Sequence, residues 1–169
     1  MKPIEYIDAP LARSLLPERA VSSHKGDFGR LLVITGSDKY RGAAHLSLEA
    51  ALRGGAGYVT FIGTEVIAEE LRMKFPEAIY KTVPPTSELS EGDISAVSQL
   101  SMSSGAVLVG CGSTVSRGLY SLLTRLLLTE GGALILDADA INAIAEHGAE
   151  GRALLKKSAS TGYPHASPP

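Results

Sequence analysis

His24-Lys25-Gly26-Asp27-Phe28-Gly29-Arg30-Leu31-Leu32-Val33-Ile34-Thr35-Gly36-Ser37-Asp38-Lys39-Tyr40-Arg41-Gly42-Ala43-Ala44 runs from a polar lead-in through an unbroken apolar core into a glycine-punctuated loop and an alanine-rich stretch. Leu31 to Ile34 has the apolar continuity of a strand covered on both faces, whereas residues 43–53 have helix-forming composition. Gly36 and Gly42 stand between them, where backbone freedom permits a tight turn or close approach of a ligand. A plain strand-to-helix connection with packing glycines reads equally well from this stretch alone.

Outward from it, apolar runs and helical patterns alternate. Residues 31–35, 58–63, 106–109 and 133–136 read as strands; residues 43–53, 65–74, 93–100 and 117–128 read as helices, with another after Asp139. This β-α-β order predicts a mainly parallel sheet with helices on both faces, a three-layer α/β/α fold. One unit is expected over residues 1–157, followed by an irregular Pro/Ser-rich tail over 158–169. The Val83-Pro84-Pro85-Thr86-Ser87 segment reads as a surface excursion, because too little chain flanks it for separate cores.

A chain of 169 residues with 44% hydrophobic content and mean hydropathy of +0.12 suits a globular core. Net charge is -2 with both signs scattered, which provides no basic stripe for nucleic acid and no polybasic patch for a membrane surface. Cys111 is the sole cysteine, so an intramolecular disulfide is excluded and a cysteine zinc cage is not expected. The start, Met1-Lys2-Pro3-Ile4-Glu5, lacks a signal-peptide core, no apolar run is long enough for a bilayer, and a cytoplasmic location is expected.

Three of the inferred strands lead into unusual residues: Thr35-Gly36-Ser37-Asp38, Gly110-Cys111-Gly112-Ser113-Thr114 and Asp137-Ala138-Asp139. In a parallel sheet all carboxyl ends share one edge, so these turns are expected to border a common crevice. Gly110 and Gly112 would keep the backbone low under a flat or phosphorylated ligand, and Ser113 and Thr114 would offer hydroxyls; an ordinary Gly-rich turn also fits. Asp139 reads as the N-cap of the following helix, accepting its backbone N–H groups. Asp137 is expected to be partly desolvated at the strand end, which makes it the stronger functional candidate.

Taken in order, His24-Lys25-Gly26, Gly29, the strand to Thr35, Gly36-Ser37, Gly42-Ala43-Ala44 and Arg53-Gly54-Gly55-Ala56-Gly57 resemble the NAD(P)H-hydrate dehydratase family, a carbohydrate-kinase-like group. Gly110-Cys111-Gly112 resembles that family's Gly-Pro-Gly turn with cysteine for proline, and Asp137-Ala138-Asp139-Ala140-Ile141-Asn142 its Asp-Ala-Asp-Ala-Leu-Asn motif. The resemblance implies a ribokinase-like fold and a repair lyase that dehydrates hydrated NADH or NADPH. ADP or ATP would be the phosphoryl donor, and Mg2+ would bridge the nucleotide phosphates, with no metal-ligand set on the protein itself. It places Gly42, Ala43, Ala44, Gly110, Gly112, Asp137 and Asn142 at the substrate, with His24, Lys25 and His165 as weaker candidates. A homo-oligomer is expected as well.

Beyond Lys157 the chain departs from that pattern. The family's later Thr-Pro-His-Pro-Gly-Glu-like and Gly-Thr-Gly-Asp motifs are absent, and Pro164-His165 is only a faint echo of the first. The expected catalytic aspartate is therefore missing, as an early end or a frameshift near Ser160 would produce. The alternatives are a non-catalytic nucleotide-binding fragment or a small-molecule kinase of the same fold.

Overall fold

The computed structural model describes residues 6–16 and 19–160, the side chains of residues 159 and 160 apart. Five strands, β1 (Arg30–Ile34), β2 (Tyr58–Gly63), β3 (Ile79–Thr82), β4 (Ala106–Val109) and β5 (Ala133–Leu136), form one sheet in the order β3-β2-β1-β4-β5. Every pairing is parallel, and β1 lies at its centre, with Val33 opposite Phe61 of β2 and Leu108 of β4. The chain builds outward on one side of β1 and then on the other, so the connection changes direction between β1 and β4.

Among the described residues there are seven α-helices: α1 (Ala9–Ser14), α2 (Arg41–Arg53), α3 (Glu65–Arg72), α4 (Glu91–Met102), α5 (Arg117–Leu128), α6 (Asp139–Glu146) and α7 (Gly148–Ser160). Successive residues of β1 point to opposite faces: Val33 joins Val59, Phe61, Leu48 and Ile67 under α2 and α3, while Leu32 and Ile34 join Val107, Val97, Leu122 and Ile144 under α4 to α6. Burial on both faces is why the central strands are apolar throughout. The longest apolar stripe belongs to α5, whose buried Leu119, Leu122, Leu123, Leu126 and Leu127 recur at helical spacing. Ser116 starts that helix by accepting the Leu119 N–H at 3.1 Å.

Four expected strands are present; β3 is an addition. Its residues are mostly exposed at the sheet edge, so it lacks the apolar run that marks its neighbours. The single helix expected after Asp139 is divided, because Gly148 adopts φ +51 between α6 and α7. Helix α7 then continues to Ser160, three residues into the stretch expected to be an irregular tail. The 83–87 segment is a surface excursion, with Pro84, Pro85 and Ser87 exposed, and it is fastened at both ends: Val83 N–H donates to Gly63 O at 2.9 Å and Thr86 Oγ1 to Ser113 O at 3.0 Å.

Candidate functional site

All five strands end at one rim, and there the turns after β1, β4 and β5 are hydrogen-bonded together. Gly36, at φ +82, donates its N–H to Cys111 O at 2.8 Å, and Gly110 N–H donates to Ile34 O at 3.2 Å. Thr114 Oγ1 donates to Ser37 Oγ at 3.0 Å, adding a third link between the β1 and β4 turns. From β5, the Asp139 carboxylate accepts the Thr114 N–H at 2.9 Å, and the Asp137 carboxylate accepts the Cys111 thiol at 3.3 Å.

Glycine is required for this closeness. A Cβ on Gly110, at φ +119, would stand 2.0 Å from Asp137 O, and one on Gly112, at φ +65, would stand 2.7 Å from Ala43 Cβ. The same rim holds both non-glycine residues of positive φ among those described, Thr114 at 64° and Ala138 at 43°. Backbone strain of this kind persists only where neighbouring contacts enforce it, and it concentrates at ligand sites. Burial and the Asp137 carboxylate push the Cys111 thiol above its ordinary pKa, with the Ser47 hydroxyl opposing them.

The structure thus brings Ala43, Gly110, Gly112 and Asp137 into one seam. Asn142 lies just beyond it in the first turn of α6, its N–H donating to Ala138 O at 3.0 Å. Gly42 is exposed at the start of α2 with open space around it. Several expectations are corrected. Ala44 is 0% exposed, packed under Gly36 in the core, so its side chain borders no open site. Asp137 is exposed rather than desolvated, because β5 ends at an open margin of the sheet. Ala138, not Asp139, is the N-cap residue of α6, and the Asp139 side chain reaches across to the β4 turn instead of capping its own helix. His24 and Lys25 precede β1, at the opposite, amino edge of the sheet, with Lys25 Nζ 4.5 Å from the Tyr58 ring centroid. His165 lies outside the described residues.

Beside the seam is a cleft of about 290 Å³ that the site prediction caught only in part. The expected Thr35 to Asp38 and Ser113-Thr114 segments border it, joined by the ends of β2 and β3 and by Pro84 and Pro85. None of the residues named as substrate-binding lines it. The sequence signal for these additional walls was the Pro84-Pro85-Thr86-Ser87 cluster, whose position next to the β4 turn depends on β3.

The carbohydrate-kinase domain model described as NAD(P)H-hydrate dehydratase matches residues 31–161. This chain belongs to the NAD(P)H-hydrate dehydratase family. The ADP-dependent (S)-NAD(P)H-hydrate dehydratase of Lactococcus lactis is 33% identical over 85% of this chain and 50% of its own length. The ADP/ATP-dependent NAD(P)H-hydrate dehydratase of Bacillus subtilis, solved after co-crystallisation with ATP and Mg2+, superposes with a TM-score of 0.65 at 28% identity, covering 78% of this chain and 44% of that one. A ribokinase-like superfamily protein of Enterococcus faecalis shares the fold at a TM-score of 0.72 and 21% identity, over 87% of this chain and 51% of its own. This dehydratase-family chain spans about half the length of these relatives, and 26% or 27% of several bifunctional NAD(P)H-hydrate repair enzymes. Its fold is ribokinase-like α/β.

Among the described residues no group of three or more His, Cys, Asp or Glu is placed to hold a metal. Asp137 and Asp139 each accept a bond from the β4 turn.

Proposed function

We propose that this chain holds hydrated NADH or NADPH along the seam of Ala43, Gly110, Gly112 and Asp137, with Gly42 and Asn142 at its margins, as the substrate-binding part of an ADP-dependent (S)-NAD(P)H-hydrate dehydratase. The observation that carries the reading is the hydrogen-bonded convergence of the β1, β4 and β5 turns, each bearing a family motif, on one rim. The relatives named for that reaction support it. Ala44 contributes as a small core residue that lets the β1 turn settle onto α2.

Helix α2 begins at Arg41 with no side-chain cap from Tyr40, which leaves first-turn amides for the nucleotide's phosphates. The glycine turns bring main chain rather than side chain to the rim, as a flat ring or a phosphate requires. Asp137 and Asn142 would meet the polar groups of the cofactor.

The family reaction phosphorylates the hydroxyl of the hydrated ring from ADP or ATP, so that phosphate departs as the dihydronicotinamide is regained. Mg2+ would be carried by the nucleotide phosphates, and no step is assigned to it here. The sequence contains no Gly-Thr-Gly-Asp run, so the base and the anion hole of the phosphoryl transfer are not assigned to these residues. The second reading, a chain that binds nucleotide without turnover, is favoured by that same observation. A cytoplasmic location belongs to the proposal too, supported by the metabolite-repair relatives. Self-association is also part of it, supported by the open margin at β5.

The test incubates the purified chain with hydrated NADH, ADP and Mg2+, following the return of reduced-nicotinamide absorbance, with calorimetric binding in parallel. Recovery above the spontaneous rate establishes catalysis. Binding without recovery, abolished by Gly112→Val, supports the binding-only reading. A folded chain that neither binds nor turns over the hydrated cofactor sinks both.

A further inference from the structure

Asp139 stands at the head of α6 without capping it. The N-cap position falls on Ala138, which supplies no side-chain bond, so the first turn of α6 forgoes the oxygen that an aspartate commonly provides there. The half-buried Asp139 carboxylate reaches across the rim instead and accepts the Thr114 N–H at 2.9 Å.

Backbone strain sits at both ends of that bond. Thr114 has φ +64° and Ala138, immediately before Asp139, has φ +43°; they are the only non-glycine residues of positive φ among those described. A β-branched side chain in the left-handed region is an outlier, and such a conformation persists only where surrounding contacts enforce it. Two relaxed dihedrals and a helix cap are thus given up for one bond between the β5 and β4 turns.

The β4 turn is gripped from β5 at two points. Asp137 holds Cys111 through its thiol, Asp139 holds Thr114 through its main chain, and Gly112 lies between them. Gly112 is pressed against the start of α2, where a Cβ would stand 2.7 Å from Ala43 Cβ and 2.8 Å from Tyr40 Cβ. Ser113, 1% exposed, is anchored through its N–H to Gly110 O at 3.1 Å. Thr114 is the exposed end of the turn, and its hydroxyl carries the bond to Ser37.

We infer that Asp139 is a positioning residue: it touches no ligand, and by holding Thr114 in the left-handed region it sets the 112–114 main chain and the Thr114–Ser37 bridge against the seam. What the held turn meets rests on the seam reading above; the hold itself does not.

Amide hydrogen exchange in the ¹⁵N-labelled full chain tests the hold, and calorimetric binding of hydrated NADH tests its purpose. The Thr114 amide is expected to be protected although the residue is exposed. Asp139→Ala is expected to speed its exchange by about tenfold or more, to leave the Ile141 and Asn142 amides of α6 nearly unchanged, and to weaken hydrated-NADH binding by about tenfold or more. Asp139→Asn, whose amide oxygen still accepts the N–H, recovers most of both losses. The deciding readout is a cycle with Thr114→Gly, because glycine takes positive φ without strain. In the Thr114→Gly background, Asp139→Ala is expected to cost far less in melting temperature and in binding, a coupling that a helix cap or general packing does not produce.

A wild-type Thr114 amide that exchanges as fast as an unstructured threonine overturns the assignment without any variant, so it stands or falls even if Asp139→Ala does not fold. Equal losses in both backgrounds, or protection lost along α6 rather than at Thr114, overturn it as well. Loss of the hold with hydrated-NADH binding untouched refutes the positioning role. A wild-type chain that binds no hydrated NADH overturns the seam reading alone, because exchange and the melting-temperature cycle still decide the hold.

Discussion

Gly110 sits where a side chain has no room on any side: a Cβ would meet Asp137 O at 2.0 Å, Ala140 Cβ at 2.6 Å and Ala140 N at 2.7 Å, at a φ of +119° that L side chains rarely adopt. Gly110→Ala must therefore part the β4 and β5 turns or abandon that dihedral. It is expected to lower stability by about 3 kcal/mol or more, read by urea unfolding; a loss within experimental error would remove the steric account of the rim. Its neighbour Cys111 offers a second measurement, because it is the chain's sole cysteine. Burial first, and the bond to the Asp137 carboxylate next, raise the thiol's pKa, so less thiolate is present at neutral pH than for a free cysteine. Asp137→Asn takes away the negative charge, lowers the thiol pKa and is expected to speed alkylation by iodoacetamide several-fold at pH 7.5. An unchanged rate-against-pH profile would show that the carboxylate does not hold the thiol. These contacts were beyond sequence reading, which named Gly110, Gly112 and Asp137 from their motif but gave Asp137 a desolvated environment that an exposed strand end does not provide.

At the scale of elements, α4 begins at Glu91, two residues ahead of the helix expected over 93–100, because Ser90 caps it. Ser90 and Asp93 form a reciprocal box at the head of α4: the Asp93 carboxylate accepts the Ser90 N–H at 2.9 Å, and Ser90 Oγ accepts the Asp93 N–H at 3.2 Å. The Ser90 hydroxyl, and next its N–H, hold the Asp93 carboxyl below its ordinary 3.8. A carboxyl lowered on folding stabilises the protein at pH above its unfolded value, and that contribution disappears as pH falls through the folded value. Ser90→Ala is accordingly expected to lower the melting temperature by a few degrees at pH 7 and by less at pH 2.5. Equal losses at both pH values would disconnect the cap from Asp93 ionisation. Helix α6 is the contrary case: its N-cap is the strained Ala138, because Asp139 is drawn to Thr114, and no local pattern announces a side chain engaged by another loop. Strand β3 was missed for a related reason, since an edge strand with Lys81 and Thr82 exposed carries little apolar periodicity.

For the whole molecule, the two margins of the sheet differ. On β5, Leu134 and Leu136 pack toward the cluster under α4 to α6, whereas Ile135, 49% exposed, points to the other face. Among the described residues β5 pairs with β4 alone, so its outer edge offers free backbone groups next to an uncovered isoleucine. Such an edge favours addition of another strand. Self-association that rises with concentration is expected in sedimentation velocity, and Ile135→Lys is expected to shift the population toward the monomer. A monomer at every concentration, in both proteins, would show that this margin is not sticky.

The alternation of strand and helix, the apolar strands at 58–63 and 106–109, and the glycine and aspartate motifs were fixed by local chemistry, because burial and backbone freedom leave their mark on residue type. Tertiary structure alone decided the rest: that Ala44 is core, that His24 and Lys25 lie at the far edge, that Asp139 ties the β4 turn, and that Thr35 and Thr64 flank a proline-walled cleft. Each of these depends on which segments far apart in the chain come within a few ångströms, and that is set by strand order and packing rather than by neighbours in sequence.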